Sequence, residues 1–362
     1  MGPLAGIKII EIGGLGPGPF AGMMLADMGA EVILVERRAD PNQKPMPDAN
    51  RRGKKSIVLN LKDSAGVDTL LQLVEKADVL FEGFRPGVME RLGLGPDILQ
   101  ARNPRLIIGR MTGWGQYGPL SHAAGHDINY ISLTGALRGI GRSDSKPVPP
   151  LNLVGDYGGG AMFLVTGILA ALIEVQKSGK GQVIDAAMTD GSAVLMSIFN
   201  TLHKIGLHST THGINMLDSG AHFYEVYETQ DGKYISIGSL EPQFYAQLVE
   251  KAALDPEVFG SQLDTSQWPA LKEKLTEVFK TKTREQWCEI MEGTDVCFAP
   301  VLDLMEAPQH PHNVARKTYI DLDGIKQPAP APRFSRTVTE VQFGSRYAGQ
   351  DTEEILKDWG IS

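Results

Sequence analysis

Three short stretches carry the residues best suited to moving a proton on and off carbon: Gly125-His126-Asp127-Ile128-Asn129-Tyr130, Gly155-Asp156-Tyr157-Gly158-Gly159-Gly160 and Glu241-Pro242. The first offers an imidazole in a glycine-flanked loop. The second offers a carboxylate ahead of a glycine run that opens a long apolar helix. The third sets another carboxylate at a helix start. A base, an acid and a group that orients one of them are what such chemistry requires. Each residue also has a plainer reading. A lone histidine is more often structural, Asp156 suits a helix cap, and Glu241 before a proline suits a helix start. For Asp156 the two readings are compatible, because helix-start amides stabilise developing negative charge. Gly158, Gly159 and Gly160 are the donors expected to face an enolate oxygen there.

The elements that must position these groups alternate. The pattern predicts strands over 7–12, 31–36, 56–61, 78–84, 106–112 and 182–187. Helices are predicted over 20–28, from a cap at Asp63 to 77, and over 162–176. Strand–helix–strand order implies a parallel sheet, so residues 1 to about 185 read as an open α/β sheet. The character changes after residue 200. A polar, glycine-bearing stretch at 208–219 reads as a linker. Asp231-Gly232 then marks a β-hairpin between 223–229 and 233–238. Helical patterns near 242–252, 268–280 and 283–292 complete a smaller α+β part. An extended segment at 327–332 and a short helix at 353–359 close the chain.

Two further features bear on ligands. The first βα turn, Gly16-Pro17-Gly18-Pro19-Phe20-Ala21, fits a dinucleotide fingerprint, with Glu36 at the right remove. Its prolines count against that reading, because Pro17 and Pro19 have no N–H to aim at a pyrophosphate. Arg38, Lys62 and Arg85 each follow the carboxyl end of a predicted strand. Ligands bind along that edge of open α/β sheets, and cations gathered there suit a polyphosphate.

Composition bounds the remaining possibilities. The chain has 362 residues, 42% hydrophobic and 22% charged, which is enough for a true core. A net charge of −8 argues against a nucleic-acid partner. Cys288 and Cys297 lack metal-ligand spacing and make no disulfide framework, so a reducing, cytoplasmic location is expected. His310-Pro311-His312 and Asp321-x-Asp323-Gly324 lack the partners of a metal site, and no metal is expected. The first residues lack a signal-peptide pattern, and no uninterrupted apolar run reaches ~18 residues, so no membrane association is expected.

Taken together, the motifs resemble the α-methylacyl-CoA racemase branch of the class III (formyl-CoA transferase-like) CoA-transferase family. Those that carry the resemblance include Gly14-Leu15-Gly16-Pro17-Gly18-Pro19, Asn60-Leu61-Lys62, Glu82-Gly83-Phe84-Arg85-Pro86-Gly87, Arg91-Leu92-Gly93, Met111-Thr112-Gly113-Trp114-Gly115-Gln116, the two glycine-bearing stretches above, Gly179-Lys180-Gly181-Gln182 and Pro330-Ala331-Pro332-Arg333-Phe334-Ser335. They run in order over nearly the whole chain.

The resemblance implies an interlocked homodimer of subunits with a Rossmann-like large domain and a smaller α+β domain. The chain then divides into a large CoA-binding domain at 1–200 completed by 330–362, a linker at 201–222, a small domain at 223–310 and a return linker at 311–329. It further implies that His126 and Asp156 are two catalytic bases and that Glu241 pairs with His126 across the dimer. Arg38, Leu59, Asn60, Leu61, Lys62, Gly83, Phe84, Arg85, Arg91, Gly125, Asp127, Ile128, Asn129 and Tyr130 match the coenzyme A positions. Coenzyme A is part of the substrate, and no separate cofactor is expected. The implied reaction is epimerisation of 2-methylacyl-CoA thioesters in lipid metabolism. The alternatives are a CoA transferase of the same family, with Asp156 as nucleophile, and a non-catalytic CoA-binding protein.

Overall fold

Some strands of the N-terminal half centre on consecutive apolar residues, as in Glu31–Glu36 and Val79–Glu82, the pattern of strands covered on both faces. The structure, a computed structural model, describes residues 2–37 and 47–361. The chain forms two compact units, one of Met1–Thr134, Leu151–Leu195 and Val314–Ser362, the other of Gly135–Pro150 and Met196–Asn313.

The first unit holds Lys8–Ile12 (β1), Pro17–Asp27 (α1), Glu31–Glu36 (β2), Lys54–Val58 (β3), Ser64–Val74 (α2), Val79–Glu82 (β4), Val88–Arg91 (α3), Pro96–Arg102 (α4), Ile107–Thr112 (β5), Asp127–Leu133 (α5), Met162–Ser178 (α6), Val183–Ala187 (β6) and Met188–Leu195 (α7). Its six strands are parallel in the order β3-β2-β1-β4-β5-β6, the arrangement of dinucleotide-binding folds. Successive residues point to opposite faces. Ile9, Val32, Val79, Phe81 and Ile107 pack under α1 and α6. Their neighbours Ile10, Ile33, Leu80 and Ile108 pack on the side of α2 and α4. α6 ends at Gly179, whose φ of 74° makes a left-handed cap.

Two local readings need correction. Asp63 occupies the cap position of α2, but its carboxylate makes no bond to the helix. It accepts instead from the Asn60 side-chain amide. Asp156 does not cap α6 either. A π-helical turn, Leu153–Ala161, precedes that helix and contains it. Turn and helix form a continuous segment, Leu153–Ser178, that holds an 18-residue stretch of mean hydropathy 1.8 and is long and apolar enough to cross a membrane. The count of uninterrupted apolar residues overlooked it because single polar residues break the run. Here Leu164, Val165, Ile168, Ala171 and Leu172 of α6 lie in the core, as in a core helix.

The second unit holds Ser197–Lys204 (α8), Tyr224–Glu228 (β7), Tyr234–Gly238 (β8), Pro242–Lys251 (α9), Pro256–Phe259 (α10), Trp268–Phe279 (α11), Arg284–Met291 (α12) and Phe298–Val301 (β9). The predicted hairpin pairs antiparallel, and β9 adds a third strand against β8. Phe223, Tyr227, Leu248, Trp268, Phe279 and Trp287 fill the core. Residues 135–150 also belong to this unit, as does the stretch read as a linker. Arg142 donates to Glu225 Oε1 at 2.7 Å, and a His212 ring nitrogen lies 3.1 Å from the Ser145 carbonyl.

Pro311–Arg316 (α13) carries the chain back, and Tyr319–Leu322 (β10) pairs antiparallel with Ile325–Pro328 (β11), where a linker was expected. The end of the chain then completes the first unit. Asp351 accepts from the Ser56 amide at 2.8 Å, and Thr352–Asp358 (α14) brings Ile355 and the adjoining Trp359 into the core.

Candidate functional site

The carboxyl ends of β1 to β4 surround a cavity of about 1300 Å³. Its wall includes Leu59, Asn60, Leu61 and Lys62 after β3, and Gly83, Phe84 and Arg85 after β4. It lies where the strand order reverses between β1 and β4, the usual ligand position of such sheets. A second cavity of about 590 Å³ shares Gly14, Leu15, Gly83, Phe84 and Arg85 with it and is lined beyond them by Trp114, Gly125, His126, Tyr130, Asn152 and Asp156. The two are therefore contiguous, a long cleft leading to an imidazole and a carboxyl group.

Buried charges hold the loops of this cleft. Glu82 accepts the Phe84 amide at 2.5 Å and is itself paired with Arg110 at 3.1 Å, which reaches Glu90 at 2.8 Å. The Asn60 side-chain oxygen accepts the Lys62 amide at 3.2 Å, so the expected ligand residue shapes its own turn. Five cations line the larger cavity: Arg37, Arg51, Lys54, Lys62 and Arg85. Arg51 is committed to Glu36 by two bonds of 2.9 and 2.6 Å, and Lys54 to Glu11 at 2.6 Å. The second pair is 1% exposed on both sides, and burial pushes the Glu11 carboxyl up and the Lys54 amine down. Among the described residues Lys62 and Arg85 make no ion pair, which leaves them to meet an anion.

The dinucleotide reading fails on the same geometry. Pro17 opens α1 without an N–H to offer. Glu36, besides its two bonds to Arg51, accepts from Ser56 Oγ at 2.6 Å, so its carboxylate is already satisfied.

His126 precedes α5, and its amide donates to the Asn129 side chain at 3.0 Å. The ring faces the smaller cavity. Tyr130 underpins this turn. Its hydroxyl donates to the Gly125 carbonyl, and its ring meets Trp114 edge-on at 4.7 Å. A Cβ at Gly113 would lie 2.0 Å from the Tyr130 ring, and one at Gly125 would lie 2.7 Å away. Burial, with the Asp156 charge, pushes the Tyr130 hydroxyl up from its ordinary pKa.

Asp156 faces the same cavity from the π turn. One of its oxygens accepts from the Asn152 amide at 3.2 Å, and it lies against Gly16, where a Cβ would come within 3.1 Å. The neighbouring Tyr157 stacks on Phe20 at 4.3 Å. Burial holds the Asp156 carboxyl above the ordinary aspartate range. Asn152 and His126 pull it down, and the Asp127 charge pushes it further up. A carboxyl with its pKa raised, lining one cavity with an imidazole, is a workable acid–base pair.

Other expected residues take different roles. Gly158, Gly159 and Gly160 do not line either cavity. Gly159 lets α7 approach the π turn, since a Cβ there would meet Ser192 Oγ at 2.4 Å. The expected enolate donors are therefore packing residues. Arg91 on α3 and Ile128 on α5 are exposed and outside both linings. Asp127 is 7% exposed and lines neither cavity. Arg38 lies outside the described residues. Glu241 is exposed in the second unit at the start of α9, where its backbone carbonyl accepts from Phe244 and Tyr245. Asn152, Gly16 and Trp114 were not legible as site residues. Trp114 and Gly16 carried a signal only as members of glycine-rich motifs, and Asn152 carried none.

Fold and site together define an α/β protein with a cation-lined cleft that ends at an imidazole and a carboxyl group. A sequence profile of CoA-transferase family III matches residues 4–352, and the chain belongs to that family. Alpha-methylacyl-CoA racemase of Mus musculus is 46% identical over 362 residues, 99% of this chain and 94% of that protein. The protein of that name from Homo sapiens is 44% identical over the same shares. Succinyl-CoA:glutarate CoA-transferase of Homo sapiens is 30% identical, over 98% of this chain and 86% of that one. Among solved structures, a CAIB/BAIF family protein from Brucella suis superposes with a TM-score of 0.83 at 25% identity, covering 99% of both chains.

Proposed function

We propose that this chain is an acyl-CoA isomerase that interconverts (2R)- and (2S)-2-methylacyl-CoA thioesters by two-base proton transfer. The observation that carries the reading is that His126 and Asp156 line one cavity at the inner end of a cleft that presents Lys62 and Arg85. The cleft takes the coenzyme A part of the substrate, its phosphates against these cations. The thioester carbon then lies in the inner cavity.

The α-proton is weakly acidic because the thioester delocalises the charge left behind. One base removes it, and the planar enolate is reprotonated from the opposite face. In one direction neutral His126 takes the proton and protonated Asp156 supplies one; in the other the roles reverse. A carboxyl held above its ordinary pKa is what this cycle needs, since free aspartate at about 3.9 and histidine at about 6.5 are otherwise poorly matched. Glu241 orients the imidazole as a hydrogen-bond acceptor, reaching it from the second copy of a homodimer. The two free thiols fit a reducing, cytoplasmic setting.

Exchange of the α-hydrogen in deuterium oxide, with no acyl acceptor present, tests this. His126→Ala and Asp156→Ala are each expected to lower interconversion of the two epimers by roughly 10²-fold or more while leaving coenzyme A binding near wild type. Transfer of coenzyme A to a free acid without exchange would instead make Asp156 a nucleophile.

A further inference from the structure

The two bases come from separate segments, and one side chain ties those segments together. Asp127 directly follows His126 at the start of α5, and its Oδ2 accepts the backbone amide of Asp156 at 2.7 Å. The contact is close enough to dictate residue 155. A Cβ at Gly155 would lie 2.5 Å from the same oxygen. The carboxylate is 7% exposed, and its other oxygen is buried without a hydrogen-bond partner among the described residues. Asp127 lines neither cavity, so this charge is built under the site and does not face the substrate.

We propose that Asp127 is a positioning residue: its carboxylate fixes the spacing of His126 and Asp156 and places a negative charge close to the Asp156 carboxyl. The inference rests on the two-base reading above. Fixing the π turn through an amide bond places the Asp156 side chain, and misplacement by ~1 Å costs about 10²-fold in rate. The charge has a separate effect. The groups facing Asp156 are Asn152 on its own turn, the α-carbon of Gly16, and His126, Asp127 and Tyr130 from α5 and its approach. Of these, Asp127 supplies the negative charge that resists ionisation of Asp156.

Two substitutions separate these effects. Asp127→Ala removes both the acceptor and the charge, and kcat for exchange is expected to fall at least about tenfold with KM changed less than about twofold. Asp127→Asn keeps an acceptor for the amide. It should recover part of kcat over the alanine variant, with the acid limb of the pH–rate profile moved to lower pH in both directions. That limb reports the lower apparent pKa of the coupled pair. Wild-type kcat in Asp127→Ala, or an unmoved acid limb in Asp127→Asn, overturns the proposal. A rise in KM with unchanged kcat does so too, by making Asp127 a binding residue. Asp156→Ala is run alongside, and retained interconversion of the two epimers there removes the two-base reading itself, not only the part given to Asp127.

Discussion

Gly16 shows how much of this site depends on a side chain that is absent. Its φ is 73°, and the Asp156 carboxylate occupies the space a Cβ would enter. Gly16→Ala is expected to cost about 1 kcal/mol or more in stability from the backbone alone. It should also lower kcat for exchange by displacing the carboxyl. Thermal melts and isotope exchange on the same preparation check both. In the second unit, His222 is fully buried with Tyr245 Oη 2.8 Å from its ring, and burial lowers its pKa from 6.5 to about 4. The folded form resists protonation, so this histidine costs nothing above pH 6.5. Its penalty grows as pH falls toward 4, reaching about 3 kcal/mol. His222→Gln should flatten that part of the stability–pH curve, measured by urea unfolding. At this scale His126 and Asp156 were legible because imidazole and carboxylate in glycine-rich loops advertise chemistry. Asn152, Asp127 as a brace and the Glu36–Arg51 pair were not, since each acquires its role only from a residue distant in sequence.

Strands such as β2 and β4 could be read closely because each holds an apolar run flanked by charge, whereas β3, read as 56–61, begins at Lys54 and ends at Val58 because two lysines open it. The π turn was beyond reach. Its glycines read equally well as open amides at a helix start, and only the packing of α7 shows what they are for. α14 was read as a short closing helix, with no sign that it lies in the core. Ile355 is fully buried there, and Ile355→Ala is expected to cost about 2–5 kcal/mol, read as a drop in the denaturant midpoint. Little change in that midpoint would mean that the helix is dispensable to the first unit.

At the scale of the molecule, residues 135–150 and 196–313 are a second unit inserted into the first. Turn and hairpin signals placed the second unit roughly. Its boundaries depend on pairings such as Arg142 with Glu225, 83 residues apart, which no local pattern encodes. The proposed sharing of a site between copies has a direct test. Neither His126→Ala nor Glu241→Ala should be active alone, but mixed and reassembled they should recover roughly a quarter of wild-type exchange. Half of the dimers are then hybrids, each with one intact site. If Glu241 served His126 of its own chain, mixing would restore nothing.

Completion of the first unit by α14 has a consequence for synthesis. A nascent chain in which α14 is still inside the ribosome has already exposed all six parallel strands, yet it lacks Ile355 and Trp359 to seal them. The inserted unit can mature while translation continues. The sheet-bearing unit stays unsealed until α14 has emerged, and that interval is when premature aggregation or chaperone capture must act.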